Sequence, residues 1–239
     1  MFNEAYIINK INEKISDLKK ICNNDTISNN NESEKNKMSI VGIIQCKDGV
    51  LGFADNKASL NFHNKIILDE KRKEIKKIFN YHNFLVTTCG NNQIGNKKIE
   101  DILEKVVFSS NSLKFLIDSF CSYLKESCDN REFELIIYEN NYNNSDKIVK
   151  AIFYNGELNN INYLSHFIID GYPIYKEVLY DLLLNILSEY RTPQGFYDLT
   201  VSKMKEKIEN TLNDLTNFLD KMLSYNPVSK TIDYIEIIY

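Results

Sequence analysis

SIVGIIQCKDGVLGFADNKAS, residues 39–59, is the stretch whose reading decides the fold. Two apolar runs, Ser39 to Cys46 and Val50 to Asp55, flank Lys47-Asp48-Gly49. An Asp-Gly step supplies the positive backbone angles that a tight hairpin turn needs, so the stretch predicts two antiparallel strands. The first opens on a serine and the second closes on Asp55, Asn56 and Lys57.

Working outward, a second hairpin is predicted from residues 74–80 (EIKKIFN) and 84–90 (FLVTTCG), bracketing Tyr81-His82-Asn83 and ending at Gly90. Residues 99–107 and 112–126 then carry helical spacing, with Asn111 or Ser112 as the cap. Strand patterning resumes over 132–140 and 147–155, turns at Gly156, and continues through 161–170. Gly171-Tyr172-Pro173 punctuates, because proline suits a first helical turn. Two further helices are predicted over 174–190 and 201–223, then a last strand over 231–239. Strands, two helices, strands, two helices and a strand give an α+β chain. That order predicts a four-layer αββα sandwich, two stacked antiparallel sheets with helices on each outer face.

Upstream of Ser39 the pattern differs. Residues 4–22 place Ile8, Ile11, Ile15, Leu18 and Cys22 on one stripe, predicting an amphipathic helix that packs on its own domain or docks elsewhere. Residues 23–38 have almost no large apolar side chains to offset their ordering entropy, and predict a flexible linker or propeptide end. The remaining 39–239 is expected to form one domain.

Composition narrows the function classes. The formal charge is -4 and arginine occurs only at 72, 131 and 191, which argues against a phosphate-tracking surface and so against nucleic acid. The five cysteines (Cys22, Cys46, Cys89, Cys121, Cys128) fall mostly inside apolar runs, form no CxxC pair, and read as reduced core residues of a cytoplasmic protein. No metal or other cofactor is indicated. No stretch approaches the roughly 18 to 20 apolar residues needed to span a bilayer, and no signal pattern opens the chain.

The residues of the first hairpin resemble the proteasome-type N-terminal nucleophile (Ntn) hydrolases, including the bacterial two-ring relative. The resemblance rests on Ser39, Gly42, KDGV at 47–50, ADNK at 54–57, then Lys77 and Gly90, and spans about residue 39 to 239. Lys57 stands where the family more often has arginine, and Met38 where processed members carry glycine. The resemblance implies the four-layer sandwich, a ring assembly formed by self-association, unfolded polypeptide as substrate, and an ATP-dependent unfoldase as partner, since no nucleotide-binding loop occurs here.

It also implies a set of roles. A hydroxyl attacks a carbonyl poorly until a base takes its proton, and a free α-amine with a pKa of about 7.7 to 8.0 can be that base. The nucleophile must then be residue one of the mature chain. By resemblance Ser39 is that nucleophile, Asp55 and Lys77 tune it, and the Gly90 N–H receives the oxyanion. Each residue has a plainer reading: Ser39 as a strand start, Asp55 as a turn acceptor, Gly90 as a strand stop, and Lys76 rather than Lys77 as the inward lysine. A ring or scaffold subunit without catalysis, and a small-amide hydrolase, are the competing functions.

Overall fold

The computed structural model describes residues 39–57, 59–62, 65–68, 74–91, 93–129, 131–140, 147–164, 166–189, 198–222, 226 and 228–239. The expected helix over 4–22 and linker over 23–38 lie outside them, as does Cys22. The strands run β1 (Ile40–Cys46), β2 (Gly49–Asp55), β3 (Ser59–Phe62), β4 (Lys65–Leu68), β5 (Ile78–Tyr81), β6 (Phe84–Gly90), β7 (Gln93–Ile94) and β8 (Lys97–Lys98). After helices α1 (Ile99–Ser109) and α2 (Leu113–Glu126) come β9 (Phe133–Glu139), β10 (Lys147–Tyr154), β11 (Glu157–Leu164) and β12 (Phe167–Gly171). Helices α3 (Pro173–Glu189) and α4 (Val201–Met222) and strand β13 (Ile232–Ile238) complete the described chain.

The main strands form two antiparallel sheets, one in the order β12-β1-β2-β13 and the other β11-β10-β9-β6-β5. β1 and β2 are buried along their whole length, so their near-continuous apolar runs serve two faces at once. Ile40, Ile44, Leu51 and Phe53 pack with Tyr175, Leu179 and Leu183 of α3 and with Met204, Ile208 and Leu212 of α4. The alternate residues Val41, Ile43, Val50 and Ala54 meet Leu85, Ile136 and Tyr138 of the five-stranded sheet. On that sheet's other face Val86, Leu135 and Ile137 pack under Leu103, Val106, Leu116 and Phe120 of α1 and α2. Phe120 meets Phe133 and Phe153 edge-on. Each such side chain contributes about 1.5 to 3 kcal/mol of burial, which makes the alternation of β1 and β2 the main determinant of register.

Several expectations change. The β1–β2 turn is Lys47-Asp48, with Cys46 paired to Gly49, and neither turn residue takes a positive φ. Asp48 instead serves the second sheet face, its carboxylate accepting from Val201 N at 2.7 Å and so starting α4. β5 begins at Ile78, so residues 75–77 lie outside the strand, and Glu74 makes only an isolated bridge with Lys57. The run expected as one strand through 161–170 is two strands in different sheets, because β11 is fixed to β10 by the Asn155-Gly156 turn while β12 pairs with β1. The short pairs β3–β4 and β7–β8 were not expected. Ser112 is the α2 cap, accepting from Phe115 N at 3.3 Å. Of the described cysteines only Cys46 and Cys89 are buried. Cys121 is half-buried and Cys128 exposed at a helix end with φ 49°, where position after α2, not hydrophobicity, decides its exposure.

Candidate active site

The first hairpin and the start of the second converge at one end of the sheets. Ser39 immediately precedes β1, Asp55 closes β2, and Lys77 immediately precedes β5 in the other sheet. Ser39, like Val41 and Ile43, is on the inter-sheet side of β1 by alternation. All three site residues are buried, Asp55 at 0% exposure, Lys77 at 2% and Ser39 at 6%.

Lys77 is the centre of the arrangement. Its Nζ lies 2.8 Å from Ser39 Oγ, 3.0 Å from Asp55 Oδ1 and 2.8 Å from the Lys57 carbonyl. An ammonium has three N–H donors, and three acceptors surround it. Asp55 is equally occupied: Oδ1 also accepts from Ile40 N at 2.9 Å, while Oδ2 accepts from Lys57 N at 3.2 Å and Ser229 N at 3.5 Å. Buried charge is tolerated when it is paired and its remaining hydrogen-bond sites are filled, and this pair meets both conditions. Lys76 points away, its Nζ 2.7 Å from Glu104 in a half-exposed ion pair. Strand alternation does not make this choice: within β5 Ile78 faces the sheet interface and Phe79 the helices, which continued backward would turn Lys76 inward, and it is because residues 75–77 lie outside the strand that Lys77 enters the site instead.

Gly90 ends β6 at the same edge. Thr88 N donates to the Lys77 carbonyl at 3.0 Å, and by alternation the Gly90 N–H points to that same side, past the start of β5. Its φ of +107° suits only glycine, and a side chain there would meet nothing within 4 Å. Backbone conformation, with open space before it, is what this position demands.

Ser39 is gripped from behind. Tyr172 N donates to its carbonyl at 2.6 Å, and Gly171 passes so close that an added Cβ would lie 1.9 Å from that oxygen. On the Asp55 side the support comes from the loop before β13. Lys57 Nζ donates to the Asn226 carbonyl at 2.5 Å, and Asn226 Nδ2 donates to Tyr175 Oη at 2.9 Å and Asp220 Oδ1 at 3.0 Å. Tyr175 Oη in turn donates to Thr216 at 2.9 Å. Burial lowers the Lys57 ammonium below the ordinary lysine range, with Lys77 acting in the same direction against Asp220 and Asp55. Burial likewise pushes the Tyr175 hydroxyl up to about 12, against its hydrogen bonds to Thr216 and Asn226.

Asn226, Tyr175 and Thr216 escape a reading of the sequence, because they act through a buried network built from three separated segments. A weak signal existed in the Asn-Pro step at 226–227, which marks a defined turn before the last strand. The two described histidines do not enter the site: His82 is in the β5–β6 turn, and the His166 carbonyl accepts from Gln45 N at the far end of β1. His63 lies outside the described residues. Among the described residues no group of three His, Cys, Asp or Glu side chains could hold a metal ion, and no helix is long and apolar enough to cross a membrane.

No family model matches the chain, and no curated protein matches it. Solved structures do. Anbu (ancestral beta-subunit) from Yersinia bercovieri is similar with a TM-score of 0.54 at 10% identity, over 82% of this chain and 80% of that one. Two structures of Anbu from Hyphomicrobium sp. strain MC1 are similar as well. One, a Gly-1 mutant, has a TM-score of 0.54 at 13% identity over 84% and 81% of the two chains. The other has 0.52 at 12% over 83% and 82%. The likeness is one of fold.

These findings correct the identification as a proteasome-type β-subunit or its bacterial two-ring relative, which no family model supports. The physical reason lies in the motif itself. Lys-Asp-Gly-Val followed by Ala-Asp encodes a hairpin with a carboxylate at its end, and that local geometry does not fix lineage. The coarser expectation stands, an α+β chain of antiparallel sheets and helices, and its fold is similar to that of Anbu.

Proposed function

We propose that this protein is a hydrolase of peptide bonds in which Ser39, once it is the first residue of the chain, is the nucleophile. The observation that carries the reading is the buried triad Ser39–Lys77–Asp55, with Lys77 Nζ at 2.8 Å and 3.0 Å from its two partners. Because Asp55 and the Lys57 carbonyl can only accept, two of the lysine N–H groups are committed to them and the third is aimed at Ser39 Oγ. The lysine therefore supplies positive charge to a developing alkoxide, and the base is the freed α-amine beside it.

The α-amine of Ser39 takes the Oγ proton as Oγ bonds to the substrate carbonyl carbon, and the displaced electron pair becomes an oxyanion facing the Gly90 N–H. Collapse expels the amine of the leaving peptide, which takes the proton back from the α-ammonium, and leaves an ester on Ser39. Water then attacks that ester with the α-amine as base, the ester C–O bond breaks, and Ser39 Oγ recovers its proton as the acid product departs. One oxyanion donor contributes about 3 to 4 kcal/mol to such a step.

The architecture that goes with this reading is the four-layer αββα sandwich, and self-association into a ring would confine the site. Substrate class and compartment follow the same reading: unfolded polypeptide in the cytoplasm, where thiols such as those of Cys46, Cys121 and Cys128 stay reduced. The second reading is a scaffold subunit of the same fold. It is favoured by one fact, that in the intact chain Ser39 N is an amide joined to Met38 and cannot accept a proton.

Mass spectrometry of the native protein tests the first condition, with a chain beginning at Ser39 as the expected result. Translation starting at Met38 with ordinary methionine removal, or cleavage of the leader, gives the same end. A peptide electrophile that takes both hydroxyl and α-amine should label the wild type and leave Ser39→Ala unlabelled. Equal labelling, or active material that keeps Met1, sinks the hydrolase reading and leaves the scaffold. Light scattering should show a ring-sized species.

A further inference from the structure

The proposed site is divided between two sheets. Asp55 ends a strand of the four-stranded sheet and Ser39 leads into one, while Gly90 ends a strand of the five-stranded sheet and Lys77 leads into one. Reaction geometry therefore depends on what fixes the sheets to each other at this end. Apolar packing by Val41, Ile43, Leu85 and Ile136 resists separation, but it is non-directional and does not set the spacing of two strand ends to a fraction of an ångström.

A second buried ion cluster lies beside Ser39, and the reaction as proposed does not use it. Lys150 of β10 reaches across the interface, its Nζ 2.6 Å from Asp170 Oδ2 of β12 and 3.0 Å from Glu134 Oε2 of β9. Asp170 Oδ1 accepts from Gly171 N at 2.7 Å and has Lys176 of α3 at 3.8 Å. Asp170 is 1% exposed, Glu134 8% and Lys150 17% by side chain. The two carboxylates sit at telling places. Asp170 precedes Gly171 and Tyr172, the pair that grips the Ser39 carbonyl. Glu134 pairs directly with Cys89, the residue before Gly90, and the Glu134 carbonyl accepts from Thr88 Oγ1 at 3.3 Å.

We infer that Lys150 is a positioning residue, a brace whose two ion pairs tie the strand end holding the nucleophile to the strand end holding the oxyanion donor, and so set the gap between Ser39 and Gly90. The inference rests on the hydrolase reading for its consequence in catalysis, but its mechanical part can be judged without activity. Charge-assisted hydrogen bonds are directional, and each carboxylate of the brace sits on the neighbouring strand: Asp170 beside Gly171 and Tyr172, which hold the Ser39 carbonyl, and Glu134 paired across to Cys89, the residue before Gly90.

Two measurements on the full chain separate the possibilities. The first is peptide turnover, in which Lys150→Met should lower kcat roughly 100-fold, the size of loss a misplacement near 1 Å produces, with KM within about 2-fold. Lys150→Arg, which keeps both ion pairs, should restore most of it. The second is amide hydrogen exchange in the folded variants. The Tyr172 N–H, which donates to the Ser39 carbonyl, should exchange about 10-fold faster in Lys150→Met, while the amides of Ile44 and Leu51 at the far end of the hairpin keep their rates. If Lys150→Met does not fold, Glu134→Gln removes one end of the brace with Lys150 still paired to Asp170, and should show the same two effects at smaller size. Unchanged Tyr172 exchange in a folded Lys150→Met or Glu134→Gln overturns the brace whatever the turnover. Should the wild type show no Ser39-dependent turnover while Tyr172 still responds, the brace stands and the nucleophile assignment falls.

Discussion

Replacing Asp55 by Asn tests the electrostatic logic of the site in the folded protein, independent of any reaction. Asn keeps the volume but removes the charge facing Lys77 Nζ at 3.0 Å. Each carboxylate oxygen also accepts from backbone N–H groups, Ile40 on one side and Lys57 and Ser229 on the other, so either orientation of the amide turns a donor toward donors. Breaking a buried ion pair by removing one partner costs about 3 to 5 kcal/mol. Urea unfolding of wild type and Asp55→Asn at pH 7 should therefore give a loss of about 3 to 5 kcal/mol. In thermal melts that loss corresponds to about 6 to 20 °C. A loss below about 1 kcal/mol refutes the buried pair, since one ordinary hydrogen bond would then account for it.

Gly90→Ala meets no atom but forces φ +107° on a residue with a Cβ, so it should cost about 1 to 3 kcal/mol in urea unfolding and depress Ser39-dependent turnover through kcat. Tyr175→Phe removes the buried hydroxyl shared by Thr216 and Asn226 and should lose about 1 to 3 kcal/mol, with faster amide exchange at Val228, whose N–H bonds Asn226. The side-chain hydrogen bond from Arg131, with smaller help from the Gly95 and Arg131 amides and against burial, holds the Asp129 carboxyl down at about 2. Stability from that pair is complete above the ordinary aspartate value near 4 and is lost as pH falls toward 2. Arg131→Gln should therefore lower the unfolding free energy from urea titration at pH 6 by on the order of 1 kcal/mol, screening at the half-exposed guanidinium included, and the difference should vanish by pH 2.

What the sequence discloses about this molecule depends on whether the determinant is local. The β1–β2 hairpin is written in its own residues, since alternate apolar positions serve α3 and α4 on one face and the second sheet on the other. Ser39 and Asp55 are at the two ends of that hairpin and could be paired by counting. Lys77 could be narrowed only to a choice of two, because residues 75–77 lie before β5 and do not follow its alternation. The switch of sheet between β11 and β12 was missed, because the polar Ser165-His166 step that interrupts 161–170 carries no Gly or Pro turn signal, and pairing with β10 and β1 is what assigns the two strands. The support network of Asn226, Tyr175 and Thr216, and the Lys150 cluster, join residues tens of positions apart and leave no periodic trace. The family was over-read from a motif that encodes geometry.

One consequence of the site's construction concerns how it would be turned on. The ammonium is within hydrogen-bond distance of both the hydroxyl and the carboxylate while the serine nitrogen is still an amide. On the hydrolase reading nothing has to move for Ser39 to meet its electrostatic partners, since Asp55 already accepts from Ile40 N, the Ser39 carbonyl is already held by Tyr172, and Lys77 is already saturated. What is missing is a basic nitrogen, and only scission of the bond before Ser39 can make one. Activation on this arrangement is therefore a covalent event with little rearrangement behind it. A crystal structure of the chain beginning at Ser39 should superimpose at Asp55, Lys77 and Gly171 on the form that retains its leader, with Lys77 Nζ still about 2.8 Å from Ser39 Oγ. A lysine that leaves Ser39 once the amine is free would mean the pairing is a resting contact of the uncleaved chain, and the lysine could not be the charge that steadies the alkoxide.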